Sequence, residues 1–193
     1  SSAASDVYKR QYLDSNHSVY IFGGMGNESG DQVIGRCYFH DFYKVDLQEM
    51  RVQKLWDISE GQPNMVPAQD MVILNDSCFY VLRYPESVSN SFLHLYRFSV
   101  EDGSCHILGD SIPIYSDKIT TNARLYYNER QSRLFVTVQE TSDDVSSKFS
   151  VYSLLFPPVS LEKYTANNGG GNALHVWLVL VAAVVAVAGG SVW

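Results

Sequence analysis

Side chains able to bind metals or act as nucleophiles are few in this chain, and they lie far apart. Cys37, Cys78 and Cys105 form no Cys/His spacing of the kind that surrounds zinc. Cys78 and Cys105 fall on the second and fourth strands of one expected sheet. A strand spacing of about 4.8 Å then separates them by more than the roughly 7 Å a disulfide can bridge. Free, packed cysteines are therefore expected. His40, His94 and His106 sit in strand-like runs, where histidines pack or hydrogen-bond within the fold. Glycines 23, 24, 26 and 30 lack both the third-glycine offset and the following helical pattern of a phosphate loop. Asn27, Glu28 and Asp31 are oxygen donors, but they do not follow the EF-hand spacing and read as a solvated loop. Asn16, Asn27 and Asn75 each open a glycosylation sequon, which matters only in a eukaryotic source; two of them also suit hairpin turns. No paired carboxylates and no nucleophile motif stand out. The sequence thus assigns no catalytic residue, no metal and no cofactor.

The elements that would position any site are short and repetitive. Met71 to Leu74, Cys78 to Leu82, Phe92 to Phe98 and Cys105 to Leu108 are four apolar runs, too short and too aromatic for helices. Asn75-Asp76-Ser77 and Glu101-Asp102-Gly103 supply tight turns between them, and a longer polar loop spans Pro85 to Ser91. The second run recurs as Val19 to Phe22 and as Arg133 to Val136. The third carries a register mark at Tyr43, Tyr96 and Tyr152, 53 and 56 residues apart. Two and four residues after each tyrosine stand Val45 and Leu47, Phe98 and Val100, or Leu154 and Phe156, and nine after it stands Val52, Cys105 or Leu161. Four linked positions in three copies identify an internal repeat of propeller-like period. The expected fold is all-β: a partial β-propeller of about three four-stranded antiparallel blades, plus one C-terminal transmembrane helix.

Val19-Tyr20-Ile21-Phe22-Gly23-Gly24, a loop, then Phe42-Tyr43-Lys44-Val45-Asp46-Leu47 resembles a kelch repeat of the galactose-oxidase type. The likeness covers residues 12–164 and weakens along the chain, since Arg83-Tyr84 and Gln139-Glu140 replace the double glycine in later copies. Val52, Cys105 and Leu161 stand where the pattern has tryptophan, and Trp56 comes four residues later. The resemblance implies blades over about 12–56, 69–108 and 122–164. Galactose oxidases hold copper through tyrosine and histidine, and no set here matches those ligands.

Residues 1–11 read as a non-native, adaptor-derived segment, which would start the natural chain in mid-protein. Residues 165–172 form an uncharged, glycine-rich linker. Residues 173–193 then run 21 positions without Asp, Glu, Lys or Arg, about 31 Å as a helix and enough to cross a bilayer core. Only Lys163 is basic in the preceding twenty residues, which favours a non-cytoplasmic flank. The net charge of −7, with no Lys/Arg cluster to offset it, argues against a phosphate-binding surface and hence against nucleic acid as a partner of this segment.

Long connections gather at one end of the expected blades and tight turns at the other, and binding residues concentrate in loops on rigid scaffolds. The candidates are Glu28 and Arg36 from the first repeat, Arg83, Tyr84 and Glu86 from the second, and Asp143 from the third. Tyr84 leads them, because an exposed aromatic beside charges suits stacking of sugars and peptides; otherwise all six are ordinary solvated loop residues. The expected function is an extracytoplasmic, non-catalytic, ligand- or protein-binding part of a membrane-anchored receptor or sensor. Its ligand is a small molecule, a glycan or a protein. The alternatives are a membrane-tethered, carbohydrate-directed enzyme with its catalytic blades elsewhere, or an adhesion scaffold.

Overall fold

The computed structural model describes residues 10–13, 17–26, 37–75, 77–85, 88–115, 121–142, 146–158 and 178–179. All regular structure among them is β. The first sheet has the order β1 (Arg10–Leu13), β2 (Ser18–Gly26), β3 (Cys37–Asp46), β4 (Arg51–Asp57). The second joins β5 (Met65–Pro67), β7 (Cys78–Pro85), β8 (Ser91–Ser99) and β9 (Cys105–Ile114), with β6 (Val72–Asn75) also on β7. The third is β10 (Thr121–Asn128), β11 (Arg133–Ser142), β12 (Ser146–Leu155) and β13 (Leu178–Val179). Every pairing within the sheets is antiparallel.

The tyrosine marks occupy one register position. Tyr43 faces Ile21, Tyr96 faces Val81, and Tyr152 faces Val136. The positions two and nine residues beyond the mark are cross-strand partners, Val45 with Val52 and Phe98 with Cys105. Side chains so placed touch, which explains their linked recurrence. Leu161, the expected start of the last fourth strand, lies outside the described residues; β13 pairs with β12 instead, through Tyr152 and Ser153.

The sheets stack face to face in chain order. One core lies between the first and second, with Tyr20, Phe22, Phe42 and Trp56 against Phe79, Val81, Tyr96 and Phe98. A second core lies between the second and third, where Tyr80, Leu82 and Leu95 meet Leu134, Val136 and Leu154. Covered on both faces, β7 is buried without a break from Cys78 to Tyr84, whereas Ser18 to Phe22 of β2 alternate. Aromatic rings fill the first core: Phe42 stacks on Phe79 at 4.6 Å, and Phe22 lies 4.8 Å from Phe98. Each such pair is worth about 0.5–1.5 kcal/mol beyond its buried area. Trp56 pins its sheet to the next, its Nε1–H donating to the Val100 carbonyl at 2.9 Å.

Tight turns at one end of the sheets are built by side chains. Asp46 Oδ1 accepts the amides of Gln48 and Glu49 at 2.8 and 2.9 Å, and Asp102 Oδ1 accepts that of Ser104 at 3.0 Å. Gly103, at φ +74°, sits under the Trp56 ring, where a Cβ would lie 2.9 Å from ring carbons. None of the three cysteines is in a disulfide. Among the described residues no helix is long and apolar enough to cross a membrane. Of the apolar run 173–193, only Leu178 and Val179 fall within them.

Candidate functional site

The connections 27–36, 58–64, 86–90 and 115–120 leave the strands at the end opposite the tight turns, as does 143–145, which is only three residues long because β11 and β12 run on to Ser142 and from Ser146. Four of the six expected binding residues, Glu28, Arg36, Glu86 and Asp143, lie outside the described residues. The other two are placed differently from the expectation. Arg83 and Tyr84 are not loop residues: both belong to β7, 1% and 8% exposed. The cause is β5, which pairs Pro67 with Arg83, Val66 with Tyr84 and Met65 with Pro85, and so prolongs β7 past its apolar run. Tyr84 is therefore no exposed stacking platform; it packs in the core between the second and third sheets.

Arg83 crosses toward the first sheet. Its Nη2 donates to His40 Nδ1 at 2.7 Å, and its guanidinium lies 4.9 Å from the Tyr96 ring centre and 5.7 Å from that of Phe98. A guanidinium only donates, so Nδ1 accepts and the imidazole proton sits on Nε2. Burial, and next the adjacent Arg83 charge, lower the His40 pKa to about 4. Burial also lowers that of Arg83, without depriving it of its proton. His40 is 1% exposed, with its amide bonded to Ser59 Oγ at 2.9 Å and its carbonyl accepting from Ile58 at 3.1 Å. Among the described residues Arg83 Nε has no hydrogen-bond partner. The pair keys two sheets together beneath the long connections, but solvent does not reach it.

The accessible chemistry at this end lies on the rim. Tyr115 is 57% exposed. Its amide donates to Glu140 Oε1 at 2.7 Å, its carbonyl accepts from Asn90 at 3.3 Å, and Lys148 Nζ stands 5.2 Å over its ring. Phe92, beside the His94 ring at 6.4 Å, is an exposed aromatic toward the same end, whereas Phe149 faces the opposite side of β12 from Lys148. Sequence reasoning missed Tyr115 because residues 109–121 read as a plain link between repeats. The available signal was that Tyr115 is the lone aromatic of that stretch. An exposed ring fixed at its backbone, with a cation and a carboxylate beside it, can stack a flat or apolar ligand face and hydrogen-bond its polar edge. Among the described residues no group of three His, Cys, Asp or Glu side chains could hold a metal ion.

No protein-family model and no curated protein matches the chain. Fold and rim therefore define its class by themselves: an all-β protein of stacked antiparallel sheets with long connections at one end.

Proposed function

We propose that this chain is a non-catalytic binding module whose three sheets are consecutive blades of a kelch-like propeller. It acts as the extracytoplasmic part of a membrane-anchored receptor or sensor. The observation that carries the binding role is Tyr115, exposed yet fixed by Glu140 and Asn90 and topped by Lys148. A ligand with an apolar face and polar edges, as sugars and short peptides have, suits that arrangement. Screening the full chain against oligosaccharide and peptide panels tests the role. A binder should lose about tenfold or more in affinity with Tyr115→Ala, roughly 1.4 kcal/mol. Unchanged affinity for every binder found would reject the Tyr115 platform.

The anchor reading rests on residues 173–193, uncharged throughout. In lipid every backbone polar group must find a partner within its own segment, so the run would be helical there. Membrane insertion and the pairing of Leu178–Val179 with β12 are then alternative states of the same residues. Resistance of the membrane-bound chain to alkaline extraction, with residues 12–164 open to protease from the non-cytoplasmic side, is the expected outcome. Release at high pH would dismiss the anchor.

A further inference from the structure

Arg83 carries a buried charge with no counter-charge beside it. Its guanidinium keeps its proton, is 1% exposed, and pairs with no carboxylate among the described residues. His40 Nδ1 accepts from Nη2 at 2.7 Å, and the Tyr96 and Phe98 rings attract the charge from 4.9 and 5.7 Å. None of these groups is an anion, and among the described residues Nε donates to nothing. A buried charge is costly unless it is both paired and hydrogen-bonded. An apolar side chain of similar length would fill the same place between the sheets without that cost.

The neighbours of Arg83 lead outward from it. His94 is its cross-strand partner on β8, so the two side chains share the face turned to the first sheet. His94 is half-buried. Phe92 comes two positions earlier, on the same face and nearer the connection 86–90. It is 48% exposed, with its ring 6.4 Å from that of His94. From solvent inward the order is therefore an exposed ring, a half-buried imidazole and a buried cation.

We propose that Arg83 is the floor of an anion site between the first and second sheets, and that its ligand is a small molecule carrying a carboxylate. A guanidinium presents its N–H groups in a planar fork that matches carboxylate oxygens. The carboxylate accepts from Nε, and the body of the ligand lies on the Phe92 ring. Arg83 is sealed from solvent by its surroundings, so the half-buried His94 side chain turns aside as the ligand enters. The site is separate from Tyr115, which stands where the second and third sheets meet.

The test uses the full chain in a mild detergent that masks residues 173–193. Sodium benzoate and sodium glucuronate are the probes, with benzamide and glucose as their uncharged matches, all at one ionic strength. At least one carboxylate should bind by calorimetry and raise the melting temperature, and its uncharged match should do neither. Which of the two binds separates an aromatic body from a sugar. In chain carrying isotopically labelled arginine, the assigned Arg83 Nε–H signal should shift as the bound fraction grows. Arg83→Lys keeps the charge but loses the fork, and should weaken binding by about tenfold or more. Phe92→Ala, at an exposed position, should fold normally and weaken it several-fold, so the result stands even if Arg83→Lys does not fold. Met50→Ser, in the exposed β3–β4 turn at the far end, should bind as the native chain does. Binding of neither carboxylate, equal binding of an uncharged match, an unmoved Nε–H signal, or native affinity in Phe92→Ala or in folded Arg83→Lys would overturn the proposal. So would binding seen only in Glu86→Gln, since Glu86 of the connection 86–90 would then be the counter-charge.

Discussion

Arg83 and His40 join the first two sheets through polar side chains, 2.7 Å apart and both 1% exposed. A histidine with a free-chain pKa near 6.5 that drops to about 4 on folding binds its proton more readily in the unfolded chain. Stability therefore rises with pH between those values and is fully present above about 6.5. It is lost as pH falls toward 4, by up to about 3 kcal/mol at 1.36 kcal/mol per pKa unit. Thermal melts at pH 7 and pH 4 should show a larger drop for the native chain than for His40→Gln, whose side chain does not titrate. Equal drops would show that His40 does not govern acid sensitivity. A second contrast concerns two glycines of equal backbone conformation. Gly103 and Gly61 have φ of +74° and +73°, but only Gly103 has neighbours where a Cβ would go. Gly61→Ala should cost only left-handed strain, about 1–2 kcal/mol. Gly103→Ala adds overpacking against Trp56, for a total of about 2–5 kcal/mol. Urea unfolding of the two variants side by side separates the terms.

At the scale of elements, the sheets are held mainly by faces rather than by edges or charges. Phe79 sits at the centre of the first core, within 4.6 Å of the Phe42 ring centre, 5.1 Å of Phe22 and 5.3 Å of Phe98. Phe79→Ala should cost about 3–5 kcal/mol, as expected for a buried ring whose space cannot collapse. Met50→Ser, in the β3–β4 turn at 79% exposure, should stay within about 0.5 kcal/mol of the native chain. Similar midpoints in urea for the two variants would contradict face-to-face packing as the main support of this interface.

For the whole molecule, the second and third sheets are also joined near their edges. Gln69 bridges to Arg124, and Arg124 makes a two-pronged ion pair with Asp70 at 2.8 and 3.0 Å. Its place between sheets invites a large role, yet the side chains are 44% and 31% exposed. Exposed pairs are worth about 0–1 kcal/mol. Asp70→Asn, which tolerates the φ of +70° at this residue, should therefore cost less than about 1 kcal/mol, and less still at high salt. A loss of several kcal/mol in urea unfolding would mean that the second and third sheets depend on this pair rather than on their shared apolar core.

What could be read in the chain was what local pattern controls. Tyr43, Tyr96 and Tyr152 recur with Val45–Val52 and Phe98–Cys105 because cross-strand neighbours must fit one another, and that constraint leaves a mark at fixed sequence offsets. Turn residues such as Asp102 and Gly103 are legible for a similar reason, since each acts on backbone within a few positions. The continuous apolar run Phe79 to Leu82 is buried on both sides as such a run implies, whereas the equally apolar Val19 to Phe22 alternates. Burial of Arg83 and Tyr84 could not be foreseen, because it depends on β5, a three-residue strand containing Pro67 that lies 16 residues before its partner and has no periodicity of its own. Nor could the rim be assembled from sequence: Glu140 and Lys148 are cross-strand partners in the third sheet, but Tyr115 follows β9 of the second and meets them only after the two sheets stack. Repeat, turns and apolar faces belong to neighbours along the strand or one strand away. Which polar groups are buried and which aromatics reach solvent is set by sheet-on-sheet packing, which joins residues that no fixed spacing relates.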